Sequence, residues 1–374
     1  MDDAFVQAAE HRPVAPLAEA TGVPVIDLFP ICAPTSGRGV SVDALAAEVG
    51  AACREWGFFV VVGHGVPEEV AARATEAQRA FFALPAERKA AVRRTEEAPL
   101  GYYDAEHIRN VRDWKEVFDI FPRELPPPAA APADGELVFR NKWPDGDLPE
   151  FRRQLLRRFD RRFMGLEWAD WAGQIEALEE YAAAMEELAF RLLELIARSL
   201  NLRPDRLHGF FKDQTTTYMR MNRYPPCPRP DLVLGLGRHR DSGALAILHQ
   251  DDVGGLDVRR RPDGEWVRVR PLHGSFVINI GDILEVWSND VYRSVEHRAS
   301  VNSERERFSI PYFFNPAMDT LVEPLPEMVS DGNPSRYNAY SWHDFFVTRR
   351  KSNFRKMKVD NIQITQFRKD NLVV

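Results

Sequence analysis

Cysteine is scarce in this chain. Cys32, Cys53 and Cys227 are the only three among 374 residues, with no C-x-x-C spacing. That excludes a disulfide-stapled scaffold and a cysteine zinc site, and it predicts a reducing compartment. Long apolar runs are missing as well. No stretch reaches the ~18 uninterrupted apolar residues of a membrane span, so no transmembrane helix is expected. Nor does either charge dominate. The 49 basic residues against 56 acidic leave a net −7, which argues against nucleic acid or an anionic membrane as the main partner. The start, Met1-Asp2-Asp3, has no basic segment ahead of an apolar one. A secretory leader is therefore not expected, and a cytoplasmic location is.

What is present suffices for a sizeable core: 44% hydrophobic and 11% aromatic residues exclude a largely disordered chain. The first forty residues are rich in Pro, Ala and Gly, with Val23–Leu28 as a short strand. Val42–Trp56 has helical spacing, Gly57–Gly65 (GFFVVVGHG) reads as a strand closed by glycine, and Glu68–Arg94 is helical again. Pro122–Gly135 is a Pro/Ala-rich connector, followed by a helical pattern over Pro149–Asn201.

The character changes near Thr215. Eight short runs follow: Tyr218–Tyr224, Ala244–His249, Leu256–Arg260, Trp266–Arg270, Ser275–Ile280, Ile283–Ser288, Val295–Val301 and Arg307–Phe314. Turn residues separate them at the spacing of a sandwich or barrel. The predicted class is α+β with a mainly β core, an eight-stranded jelly roll flanked by helices. Residues 1–214 form a mostly helical region, 215–316 the core and 317–374 a C-terminal extension, together one compact unit. The basic stretch Arg349–Lys369 reads as a solvated face of that extension.

Two His-x-Asp triplets fall in the β region, His239-Arg240-Asp241 and His249-Gln250-Asp251. On a strand this spacing places both side chains on one face, as two ligands of a two-histidine, one-carboxylate metal site require. Spacing alone favours the first without deciding. Asp251 adjoins Asp252 and a Gly254-Gly255 turn, where an acidic pair needs no metal, whereas Gly235-Leu236-Gly237 before His239 allows close approach. The third ligand must come from another strand, and His297 is the best placed. Arg307-Phe308-Ser309, after a hairpin expected at Asn302-Ser303, is another same-face pair, with a guanidinium and a hydroxyl suited to a carboxylate.

The blocks NRYPPCPRPDLVLGLGRHRDSGALAILHQDDVGGL, INIGDILEVWSNDVYRSVEHR and ERFSIPYFF resemble the signatures of the plant-type 2-oxoglutarate- and iron(II)-dependent dioxygenases, relatives of isopenicillin N synthase. VPVIDL, CREWGFFVVVGHGVP and FFALPAERK match that family's N-terminal region, so the resemblance covers nearly the whole chain. It implies a double-stranded β-helix. His239, Asp241 and His297 would be the iron ligands, and the choice between the two triplets is thereby made. Arg307, Ser309 and the Tyr224 hydroxyl would hold the distal carboxylate of 2-oxoglutarate, with Asn222 near its metal-bound end. Oxygen is the further co-substrate and ascorbate the expected reductant. Arg153–Ile175 has no counterpart in the usual pattern, which passes from a Trp-Pro segment into a helix like Glu176–Ser199.

The resemblance further implies hydroxylation or desaturation of a small, largely apolar metabolite of specialised metabolism: a hormone, an indoleamine such as melatonin, a flavonoid or a terpenoid. Val117, Arg220 and Phe313 are the expected substrate contacts, and no catalytic residue is expected beyond the metal centre. Because a strand alternates its faces, only one of Phe313 and Phe314 can point into the pocket. The partner is a small molecule, with neither nucleic acid nor membrane, and the expected state is a monomer. Two other readings stand beside this one: an iron oxidase of the same fold that does not use 2-oxoglutarate, and a non-catalytic ligand-binding module.

Overall fold

Proline and glycine set most element boundaries in the computed structural model, which describes residues 2–13, 22–32, 41–123, 137–144, 169–212, 215–261, 263–352, 354 and 362–369. Ser41 caps Val42–Glu55 (α1) by accepting the Asp43 N–H, and one apolar face of that helix is buried. The helical pattern expected over Glu68–Arg94 is two helices, Glu68–Phe82 (α2) and Ala86–Ala91 (α3). Pro85, which has no N–H, separates them. Ala169–Ser199 (α4) is a 31-residue helix packed on α1 and α2. Asp282–Trp287 (α5) and Trp342–Lys351 (α6) complete the set used here. Among the described residues no helix is long and apolar enough to cross a membrane. Most of the connector expected at Pro122–Gly135 and most of Arg153–Ile175 lie outside the described residues.

The strands are Val25–Asp27 (β1), Phe58–Val62 (β2), Gly101–Tyr103 (β3), His107–Ile108 (β4), Val111–Arg112 (β5) and Glu116–Ile120 (β6). Then come Tyr218–Tyr224 (β7), Leu234–His239 (β8), Leu245–Gln250 (β9) and Leu256–Arg259 (β10). Trp266–Arg268 (β11), Phe276–Ile280 (β12), His297–Ser300 (β13) and Arg307–Phe314 (β14) follow. One sheet has the order β1-β2-β12-β9-β14-β7-β6-β3 and the other β11-β10-β13-β8. Eight core strands split between two sheets are the expected jelly roll. β1, β2, β3 and β6 extend the larger sheet at both edges, so the N-terminal region shares the core's hydrogen-bond ladder.

Three local expectations need correction. Ile283–Ser288 is not a strand: Asp282–Trp287 is helix α5 with every residue buried, and a short apolar run cannot distinguish the two. β8 was not expected, because Gly235 and Gly237 dilute its strand character. Those glycines instead admit neighbours. A Cβ at Gly235 would lie 2.5 Å from the Tyr224 ring, and one at Gly237 would lie 2.9 Å from Ile108. Asn302-Ser303 is not a hairpin, since β13 belongs to the smaller sheet and β14 to the larger.

Strand alternation sorts the core into two compartments. On β12, Phe276, Ile278 and Ile280 join the large cluster under the helices. Val277 joins Phe58, Val60, Leu256, Val258, Val269 and Val295 between the sheets. Asn279 shares Val277's face, where the apolar filling gives way to polar side chains.

Candidate metal centre and its surroundings

His239 ends β8 and His297 begins β13, directly opposite each other in the ladder, with ring centroids 4.2 Å apart. Asp241 lies beyond the strand end, so its approach is set by a loop rather than by strand alternation. The loop is fixed by α5: the Asp282 N–H donates to the Asp241 carbonyl at 2.8 Å. A Cβ at Gly281 would sit 2.1 Å from the Gly243 carbonyl, so only glycine fits that crossing. Ligand atoms of His239, Asp241 and His297 lie within 4.8 Å of one another, the single such group among the described residues. Asp241 Oδ1 is 3.4 Å from His239 Nε2 and 3.7 Å from His297 Nε2. Neighbouring donors about 2.1 Å from one ion would lie roughly 3 Å apart, so small shifts close the site on a metal.

The surroundings fix which nitrogen is free. His239 Nδ1 is 2.9 Å from the Gly237 carbonyl and His297 Nδ1 is 3.2 Å from the Val295 carbonyl. A carbonyl only accepts, so each Nδ1 carries the proton and each Nε2 offers its lone pair. Burial, then the neighbouring His239, pushes His297 down to about 4, which leaves it neutral at physiological pH. Burial raises Asp241, but His297, His239 and the Asn279 amide outweigh it and hold the group below the usual carboxylate range. Asn279 Nδ2 donates to Asp241 Oδ2 at 2.8 Å. Sequence reasoning missed Asn279, although a lone polar residue in an otherwise apolar buried strand was the available signal. Two imidazoles and a carboxylate fit iron(II).

The second triplet faces elsewhere. Leu245 and Ile247 of β9 join the cluster beneath the helices, and His249 continues that face. Its Nε2 is 3.2 Å from Thr75 Oγ1 on α2, and its ring meets Tyr181 of α4. Burial pushes His249 down to about 4. Asp251 accepts backbone N–H groups from Phe308 and Val253, at 2.6 and 3.1 Å, and so anchors a turn. Gln250, on the opposite face, points inward to Arg307.

Arg307 is 3% exposed, and among the described residues no carboxylate lies within ion-pairing distance of it. Its Nη2 donates to Gln250 Oε1 at 3.0 Å, its Nη1 to Ser309 Oγ at 3.3 Å, and its Nε has no partner. The Tyr224 ring lies under the guanidinium, 4.9 Å from its centre. Asn222 donates to Ser309 Oγ at 3.4 Å and leaves Oδ1 unpaired. A buried cation without a directly paired counter-charge is costly unless an anion meets it. The group therefore fits one carboxylate of 2-oxoglutarate. Gln250 is a further contact that the sequence did not flag.

Beside His239 and Asp241 lies a cavity of about 100 Å³, lined also by Asn222, Pro311, Phe313 and parts of α6. Phe313 points into it and stacks on Tyr218 at 4.6 Å, whereas Phe314 faces the helices and stacks on Phe211 at 4.1 Å. Arg220 also lines the cavity, but its donors are engaged: Nε donates to Asp119 at 2.6 Å and both terminal nitrogens to Glu106 at 3.0 Å. Burial raises Asp119, and Arg220, Arg350 and Arg94 outweigh it and hold it below the usual carboxylate range. Val117 stands apart from these. It is fully covered within the larger sheet and does not line this cavity.

Residues 215–316 match the 2OG-Fe(II) oxygenase superfamily, and residues 23–146 match the N-terminal region described as non-haem dioxygenase in morphine synthesis. Jasmonate-induced oxygenase 2 of Arabidopsis thaliana is 34% identical over 343 residues, which span 90% of this chain and 82% of the relative. Oxoglutarate-dependent flavonoid 7-O-demethylase 1 of Ocimum basilicum is 32% identical, over 90% of this chain and 79% of the relative. The crystal structure of JOX2 in complex with 2OG, Fe, and JA is similar at a TM-score of 0.71 and 31% identity, covering 93% of this chain and 88% of that one.

Proposed function

The chain belongs to the plant-type 2-oxoglutarate- and iron(II)-dependent dioxygenases, and we propose that it hydroxylates or desaturates a small metabolite whose reacting part is an apolar ring system. Iron(II) and 2-oxoglutarate are its cofactor and co-substrate. The observation that supports the residue roles is the pairing of two features in one barrel: the His239, Asp241, His297 cluster and the buried Arg307, which no described carboxylate approaches within ion-pairing distance.

In this reading His239, Asp241 and His297 hold the iron through two Nε2 atoms and a carboxylate oxygen. Arg307 and Ser309 hold the far carboxylate of 2-oxoglutarate. Gln250 and the Tyr224 ring keep the guanidinium in place, and Asn222, which lines the inner cavity with His239 and Asp241, supports the metal-proximal end. Iron with its co-substrate supplies oxidation of the organic substrate coupled to decarboxylation of 2-oxoglutarate to succinate. The protein's work is orientation and exclusion of water: Phe313, Pro311 and Tyr218 present an apolar wall. We read residues 1–214, 215–316 and 317–374 as one functional unit, because the larger sheet runs through the first two and α6 of the third lines the cavity.

Incubating the protein with iron(II), ascorbate, 2-oxoglutarate and a panel of metabolites tests this reading. The expected result is succinate release above the uncoupled background with a ring-containing small molecule, which gains oxygen or loses two hydrogens. Turnover only of peptides, nucleic acids or sugars contradicts the substrate class.

A further inference from the structure

His239 has a second outlook. Besides the inner cavity it lines an outer one of about 680 Å³, within the ordinary size range of small-molecule sites. The inner cavity, about 100 Å³, is far below the size of an ordinary small-molecule site. A substrate reaching the metal centre past His239 therefore has its larger part in the outer cavity. Nine arginines line that cavity, against two glutamates, on a chain whose net charge is −7.

Most of these arginines are paired. Glu296 holds Arg109, Arg238 and Arg259, and Arg240 meets Glu285. Two are not. Among the described residues no carboxylate lies within ion-pairing distance of Arg349 or Arg261. Arg349 donates only to the carbonyls of Ile362 and Arg240, at 3.3 and 3.4 Å. Arg261 donates to the Arg54 carbonyl. Arg349 lines both cavities, so it stands where inner and outer space meet. Burial, then repulsion from Arg293, pushes Arg261 below its usual value, and burial does the same to Arg349. Cations gathered with too few anions are a poor wall for an uncharged guest and a good one for an anion.

We propose that the substrate is an acid, with an anionic oxygen group held in the outer cavity by Arg349 and Arg261 while its apolar part faces the metal centre. This rests on the assignment of His239, Asp241 and His297 as the iron site. A carboxylate and a phosphate ester share the required chemistry.

The test is calorimetric titration of the full chain, under nitrogen, loaded with iron(II) and saturating 2-oxoglutarate so that Arg307 is occupied. The probes are 3-phenylpropanoate, phenyl phosphate and the neutral 3-phenylpropan-1-ol. At least one anion should bind about ten-fold or more tightly than the alcohol, weakening as salt is raised, and the tighter anion identifies the group. Arg349→Gln and Arg261→Gln should each lower anion affinity about ten-fold or more, and Arg349→Lys should retain most of it. Thermal unfolding of each variant checks the fold, and exposed Arg261 provides a variant independent of α6 packing.

Equal binding of alcohol and anions overturns the proposal, as does anion affinity unchanged in both Gln variants. Absence of anion binding at millimolar concentration overturns it too. If the variants only slow 2-oxoglutarate association, the cavity is an entrance for the co-substrate and the proposal fails. Binding is read without turnover, so these failures leave the iron assignment standing. Failure of that assignment appears separately, as protein that does not take up iron.

Discussion

His239-Arg240-Asp241 and His249-Gln250-Asp251 have nearly the same sequence and occupy successive strands and the loops that follow them, yet they face different worlds. The first converges with His297 between the sheets. The second turns its imidazole to Thr75 and Tyr181 under the helices and uses its carboxylate to tie down backbone N–H groups. The motif is indifferent to this; the face on which the strand presents it decides. Gln250 makes the point within one triplet. As His249's neighbour it points the other way and reaches Arg307.

The largest effect that would break the comparison is on turnover. Asp241→Ala should abolish 2-oxoglutarate-dependent oxygen uptake, because the proposed site loses one of its three ligands, while Asp251→Ala should still turn over. An electrode trace showing the reverse assigns the wrong triplet. Next in size is Arg307→Ala, which should weaken 2-oxoglutarate by about 10- to 150-fold for a lost charge-assisted contact of ~1.5–3 kcal/mol. Iron uptake should persist, since Arg307 supplies no ligand. An unchanged apparent affinity for 2-oxoglutarate removes the clamp role.

The same alternation predicts a finer split on β14. Phe314→Ala opens a cavity against Phe211 and should cost about 3–5 kcal/mol of stability, read as a lower denaturant midpoint. Phe313→Ala, at the cavity wall, should cost less stability and change the ratio of kcat/KM between substrates of different ring size. If Phe314→Ala shifts that ratio more, the two faces are exchanged.

How much of this was legible in the sequence depended on whether local chemistry carried the signal. The jelly roll and the number of core strands are readable from turn spacing, though two differences cancel: α5 reads as a strand in the sequence and β8 does not. Both have physical causes, a short buried apolar run that suits either element and glycines retained for the close approach of Tyr224 and Ile108. Arg307 and Ser309 were legible because both lie inside one strand, where a period of two holds. Asp241 was not legible on that argument, since it lies past the end of β8 and its place comes from contact with α5, far along the chain. The engagement of Arg220 by Glu106 and Asp119 was likewise invisible, because its partners come from the loop before β4 and from β6.

The most direct test of the face argument is an anaerobic iron(II) titration of four proteins side by side: wild type, Asp241→Ala, His249→Leu and Asp251→Ala. The account predicts one iron(II) per chain in the wild type, His249→Leu and Asp251→Ala, and a large loss of affinity in Asp241→Ala alone. Retained iron in Asp241→Ala together with loss in either variant of the second triplet would contradict it.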